Sequence, residues 1–92
     1  MYTVLRRYAD RAVLDAVAAR QADVEALLRA VPGFISYQAL RAGAGGVTIT
    51  TCTDQAGTTE SSRIAADWVR QNVSAATGTA PEITEGEVFI HF

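Results

Sequence analysis

The sequence predicts an α+β fold in which four strands and two helices follow one another as β-α-β-β-α-β. Three observations carry that prediction. Tyr2 to Tyr8 and Val47 to Thr53 are short runs rich in β-branched and aromatic residues with a period of two, the signature of strands. Val13, Val17, Val24, Leu27, Leu28 and Val31, and later Ile64, Ala65, Trp68, Val69 and Asn72, recur at steps of three and four, which places each set on one helical face. Between the first helix and the second strand stands Pro32-Gly33, and between the second and third strands stands Gly43-Ala44-Gly45-Gly46.

Each element has a local reason. On the first strand Tyr2, Val4, Arg6 and Tyr8 share one face, and Thr3, Leu5 and Arg7 the other. Asp10 is placed to accept from the exposed amides of a first helical turn. The helix that follows is expected to be one rod of roughly 20 residues, about 30 Å long, with Arg20 to Ala22 its least apolar and loosest part. Pro32 disfavours a helical conformation at Val31 and Gly33 permits a positive φ, so the helix stops there. The second strand, Phe34 to Arg41, alternates Phe34, Ser36, Gln38 and Leu40 against Ile35, Tyr37, Ala39 and Arg41. The glycine cluster joins it to the third strand as a hairpin. A phosphate loop would need those glycines between a strand and a helix N-terminus, and they lie between two strands. On the third strand Val47, Ile49 and Thr51 suit a dry core, against the moderately polar set Thr48, Thr50 and Cys52. Asp54 caps the second helix, whose regular part is expected from about Thr58 to Val73, with an Arg63–Asp67 pair four residues apart on its outer side. Ser74 to Pro81 reads as a loop, and the fourth strand is expected over Glu87 to Phe92, after an extended arm from Glu82.

Composition narrows the functional classes. Ninety-two residues make a single domain, 1–92, whose folding removes only roughly 60 to 65% of the unfolded surface from water, so the core is thin. All eight basic residues are arginines, scattered among ten acids for a net charge of −2. That distribution contains no basic stripe for nucleic acid or for an anionic membrane. Cys52 is the only cysteine and His91 the only histidine, so no disulfide within the chain and no Cys/His metal cluster is expected. No apolar run reaches the roughly 18 residues that span a bilayer. Met1 leads straight into a strand-like run, so a cytoplasmic, unsecreted protein is expected.

The element order is the split βαβ plan of ferredoxin-like folds, a four-stranded antiparallel sheet with both helices on one face. The other face is left open. Whichever alternation is chosen, Leu5 or Val4, Ile35 or Phe34, and Phe89 or Ile90 must lie on it. An open apolar sheet face usually marks an interface, and a two-fold homodimer stacking two such faces is the simplest solution. The Val31-Pro-Gly-Phe-Ile-Ser-Tyr37 corner, the run Glu60-Ser-Ser-Arg-Ile-Ala-Ala-Asp-Trp-Val-Arg70 and the acidic stretch Pro81-Glu-Ile-Thr-Glu-Gly-Glu-Val88 resemble small bacterial proteins of the dimeric α+β barrel superfamily, near its antibiotic-biosynthesis-monooxygenase branch. The likeness of organisation covers the whole chain. The corner speaks to fold, and the other two runs resemble a narrower subgroup of unknown function.

The resemblance implies a cofactor-independent monooxygenase on a small aromatic, polyketide-like molecule, using a cavity between sheet and helices. It also brings in haem-degrading relatives, whose pattern asks for a ligand histidine soon after the tryptophan, whereas His91 stands at the far end of the chain. No cofactor and no metal are therefore expected. The candidate catalytic residues are Trp68 and Asn72, four apart on one helical face, and His91, whose imidazole suits acid or base work. The candidate substrate-binding residues are Arg6, Arg7, Tyr37, Thr50 and Cys52; Arg6 and Arg7 are consecutive, so one must point to each sheet face, and an arginine in the cavity favours an anionic or phenolate ligand. Against these stand plainer roles: Trp68 as the main core anchor, Asn72 as a helix-end hydrogen-bonder, His91 as a surface or interface residue and Cys52 as a small buried hydrophobe. Three functions stay open: an oxygenase or related enzyme, a non-catalytic small-molecule binding or sensing dimer, and a dimeric module with no ligand. A packed interior removes the first two, and a cavity above roughly 300 Å³ with convergent polar groups sustains them.

Overall fold

In a computed structural model, which describes residues 1–73 and 80–92, the chain runs β1 (Tyr2–Tyr8), α1 (Ala12–Ala19), α2 (Gln21–Arg29), β2 (Phe34–Ala42), β3 (Gly45–Cys52), α3 (Gln55–Asn72) and β4 (Glu82–Glu87). The strands form one antiparallel sheet in the order β2-β3-β1-β4. This is the ferredoxin-like arrangement, with the helices on the face that carries Val4, Arg6, Tyr8, Thr48, Thr50 and Cys52, all buried. Most of the expected loop, residues 74–79, lies outside the described residues.

The sheet resolves which alternation faces inward. Val4 lies opposite Thr50 and Arg6 opposite Thr48, so the moderately polar set of β3 is the one under the helices. Leu5 lies opposite Ile49 on the helix-free face, where Thr3 and Thr51 join hydroxyls at 2.9 Å. The expectation that Val47, Ile49 and Thr51 would form the dry core is thus reversed. The helices supply the apolar side of the core instead, through Val13, Leu14, Val24, Leu28 and Trp68 packed with Tyr8 and Val73.

Three elements differ from their expected bounds. The single first helix is two helices, broken at Arg20, which has φ −124° and ψ 39°. Its amide donates to Ala16 and Val17 while its carbonyl accepts from Asp23 and Val24, so one residue closes α1 and opens α2. No large apolar side chain stands between Val17 and Val24, so nothing anchors a continuous rod to the sheet there. In β2 the register slips between Phe34 and Ser36. The extra residue, Ile35, is pushed outward and Phe34 joins the core side with Tyr37, so their expected separation onto opposite faces is corrected by a bulge. β4 is Glu82–Glu87, and the expected strand over Glu87 to Phe92 is shifted toward the N-terminal arm. Tyr2 pairs with Glu87, leaving Met1, whose carbonyl accepts from the Val88 amide, as the last ladder contact. Phe89, Ile90 and Phe92 then project with their side chains exposed.

The turns and caps follow the sequence closely. Gly33 and Gly43 both have positive φ, +80° and +58°, and Gly43-Ala44 closes the two-residue hairpin between paired Ala42 and Gly45. Asp10 accepts from the Ala12 amide at 2.9 Å, and Asp54 from the Gly57 amide at 3.1 Å. Asp54→Ala is expected to lower stability by about 1 kcal/mol, read from the urea midpoint at unchanged slope. Arg63 reaches Asp67 at 3.2 Å, as its spacing suggested.

Candidate functional site

The centre of the helix-covered face is a buried cation. Arg6, on the middle of β1, is 2% exposed. Its Nη1 donates to Thr50 Oγ1 at 3.1 Å, and its Nη2 donates to Ser61 Oγ at 3.0 Å and Ser62 Oγ at 2.9 Å. Ser61 in turn donates to the Thr58 carbonyl at 2.8 Å, which fixes its oxygen as an acceptor for the guanidinium. The remaining nitrogen, Nε, is buried and has no acceptor among the described residues. All three partners are neutral hydroxyls. Guanidinium keeps its proton in proteins, so the positive charge is held by hydrogen bonds alone, without a paired anion.

Two phenols stand around this charge. Tyr37, reaching in from β2, has its hydroxyl pushed up to about 12, chiefly by burial and then by the neighbouring Tyr8, against the pull of Arg6 and of a hydrogen bond with Thr48. Burial likewise pushes the Tyr8 hydroxyl up, with Arg6 and Thr48 opposing it. The Cys52 thiol is also raised by burial, and Asp54 adds to that shift. Burial lowers Arg6 from its usual value, with Tyr8, Tyr37, Cys52 and Glu85 acting against it. The folded chain holds the Tyr37 proton more tightly than the unfolded chain does, so that contribution to stability is complete below pH 10 and is lost as pH rises toward about 12. Tyr37→Phe is expected to flatten that alkaline decline, as measured by urea unfolding over the same pH range.

Two adjoining spaces lie on this side of the sheet. The inner one, between sheet and helices, holds only about 30 Å³ and is bounded by Arg6, Tyr8, Tyr37, Thr48 and Trp68 together with core aliphatics. The outer one is an open groove of about 360 Å³ between α1–α2 and β2, bounded by Val17, Val24, Leu28, Phe34, Tyr37 and the polar rim Gln21, Glu25, Arg29 and Ser36. Val17, Val24, Leu28 and Tyr37 line both, so the groove adjoins the inner space that Arg6 borders. The interior alone admits one water-sized group, and a larger ligand must rest in the groove.

The residues singled out in the sequence fall into two groups. Arg6, Tyr37 and Trp68 line the inner space, and Thr50 holds Arg6 from behind. The other group lies elsewhere. Cys52 is fully buried beneath α3, where the Gly57 backbone comes so near that an added Cβ would lie 2.7 Å from Cys52 Cβ. Asn72 spends its amide at the helix end, donating to the Trp68 carbonyl at 2.9 Å and accepting from Arg20 at 2.8 Å. Arg7 is exposed on the helix-free face, and His91 is exposed on the tail after β4. Tyr8, Ser61 and Ser62 were not foreseen as site residues. Tyr8 was legible as the next residue on the Arg6 face; the two serines read as ordinary polar residues of a helix. Among the described residues no group of three His, Cys, Asp or Glu side chains is arranged to hold a metal, and no helix is long and apolar enough to cross a membrane.

Comparison with family models and with curated protein sequences gives no match. Solved structures do match over the full length. The monooxygenase ActVA-Orf6 of Streptomyces coelicolor, in complex with the ligand nanaomycin D, aligns with a TM-score of 0.66 at 14% identity, over 99% of this chain and 88% of its own. SnoaB, a cofactor-independent oxygenase from Streptomyces nogalater, aligns with a TM-score of 0.64 at 17% identity, over 98% and 93%. A dimeric ferredoxin-like protein from an uncultured marine organism gives 0.63 at 11%, over 99% and 94%. The chain therefore has the fold expected from its sequence, the ferredoxin-like fold that these solved structures share.

Proposed function

We propose that the chain, acting as one domain of 1–92 residues in a homodimer, is a cofactor-independent oxygenase or related enzyme on a small aromatic, polyketide-like molecule. The observation that carries this reading is the groove between α1–α2 and β2, which shares Tyr37 with the adjoining inner space bordered by Arg6 and Tyr8. An apolar trough ending in a few convergent polar groups is the usual form of a small-molecule site. The fold shared with two oxygenases supports this choice of reaction class. In this reading Trp68 walls the reacting end, Tyr37 and Arg6 face the ligand, and Thr50 positions Arg6. Asn72 acts through the end of α3. The test is oxygen consumption with a panel of anthrones and quinols, compared with Trp68→Phe and Asn72→Ala. Turnover that falls at least about tenfold in Trp68→Phe supports it; no turnover across the panel overturns it.

A non-catalytic binding or sensing dimer is the second reading, and one observation favours it. The groups around the inner space that could act as a base, Tyr8 and Tyr37, are both pushed toward their protonated forms. A dimer without ligand is the third, favoured by the small inner volume. In each the homodimer forms through the helix-free sheet face, with Leu5, Val47 and Ile49 at its middle, and the exposed Arg7 and the tail bearing His91 belong to the surface a second protomer would border. A cytoplasmic location fits the lone, buried Cys52.

A further inference from the structure

We propose that Arg6 is the receptor for an organic anion, an aromatic carboxylate of one or two rings that lies in the groove between α1–α2 and β2 and sets one charged oxygen beside the guanidinium. The proposal rests on the reading of the groove as a ligand site, and adds to it the charge of the ligand and the residue that recognises it.

The argument begins from an imbalance. Taking a cation out of water costs several kcal/mol even after relaxation, and it is ordinarily offset by a paired anion. Arg6 is 2% exposed and its partners Thr50, Ser61 and Ser62 carry no charge. No carboxylate among the described residues forms an ion pair with it, and residues 74–79, Ser-Ala-Ala-Thr-Gly-Thr, contain none. Glu85, across the ladder from Val4, is the one carboxylate among the described residues whose charge favours the cationic form of Arg6, and it makes no ion pair with it. The phenols and the thiol cannot serve as internal anions, because burial holds each in its neutral form. The fold therefore supplies a buried charge with no carboxylate in contact with it.

Geometry says where the counter-charge goes. The Nε donor has no acceptor among the described residues, and Arg6 borders a space of about 30 Å³, room for a single oxygen. A water there would satisfy the hydrogen bond and leave the charge unanswered. A halide would answer the charge and leave the apolar trough of Val17, Val24, Leu28 and Phe34 empty. A flat aromatic body in the trough with its carboxylate directed inward meets both requirements. Neighbouring Tyr8 and Tyr37, being protonated, can donate to the same oxygen.

The probes are 1-naphthoate and its neutral counterpart 1-naphthamide, titrated calorimetrically into the full-length protein at neutral pH, with sodium chloride as a third titrant. Naphthoate is expected to bind about tenfold or more tightly than naphthamide, the usual worth of a charged hydrogen bond. Arg6→Met should abolish that preference, and Arg6→Lys should retain part of it. Should Arg6→Met fail to fold, the Arg6 Nε–H resonance of the wild-type protein gives the same answer: it should shift with naphthoate and stay in place with naphthamide. Equal affinities, no binding of either probe, an unmoved Nε–H signal, a preference that survives Arg6→Met, or chloride binding alone would each overturn the proposal. Naphthoate binding with no oxygen uptake from any anthrone or quinol overturns the oxygenase reading and leaves the anion site standing. Turnover that is indifferent to substrate charge does the reverse.

Discussion

Trp68→Ala is expected to destabilise the fold by about 3–5 kcal/mol, the range for deleting a large buried aromatic. Trp68 is 9% exposed and packs among Tyr8, Val13, Leu14, Val24, Leu28 and Val73, so α1, α2, α3 and β1 all lose contacts with it. The surrounding backbone cannot close the hole, because α3 is held at its start by the Asp54 cap and at its middle by the serine bonds to Arg6. In a domain whose whole stability is of the order of 5–15 kcal/mol, such a loss is large enough to populate the unfolded chain. Urea unfolding should show a much lower midpoint at similar slope. A change below about 1 kcal/mol would mean that the indole is not the anchor of this core.

Ile49→Asp is expected to convert a dimer to a 9.8 kDa monomer. Ile49 is at the middle of β3 on the helix-free face, opposite Leu5 on one neighbouring strand and Gln38 on the other. In a lone protomer the aspartate would be partly solvated and the fold should persist. Between two stacked sheets it would bring unpaired charge into a dry contact, and near a two-fold axis it would face its own copy, which costs several kcal/mol. Sedimentation at micromolar concentration separates the outcomes. A variant that stays dimeric would locate the interface on another surface, and a wild-type protein that sediments as a monomer would remove the dimer altogether.

Much of this architecture could be read from the residues, and the exceptions have physical causes. β1, the hairpin and the cap at Asp54 are set by local chemistry, so they stand where the sequence puts them, whereas the N-cap of α1 is Arg11 and Asp10 bonds the Ala12 amide from one residue before it. β4 does not, because Val88 to Phe92 has the stronger strand composition while register with β1 selects the acidic Glu82–Glu87. Arg6 and Arg7 carry identical local signals; only the packing of Val4 and Tyr8 beneath the helices decides that Arg6 goes in. Ser61 and Ser62 escape notice for a related reason, since a serine on a helix shows its purpose only once the strand beneath it is known. The bulge at Ile35, which turns Phe34 toward the core beside Tyr37, has no residue of its own to announce it.

The break at Arg20 divides what would have been one lever into two short ones. α1 carries Val13 and Leu14 against the core, while α2 carries Val24, Glu25, Leu28 and Arg29 along the groove. Because Arg20 already lies outside helical geometry, a small rotation at that one residue would swing α2 while α1 kept its seat. The Arg20–Asn72 bond sits across the pivot and ties it to the end of α3. Cutting that tie with Asn72→Ala is expected to speed hydrogen exchange of the α2 amides while leaving those of α1 unchanged.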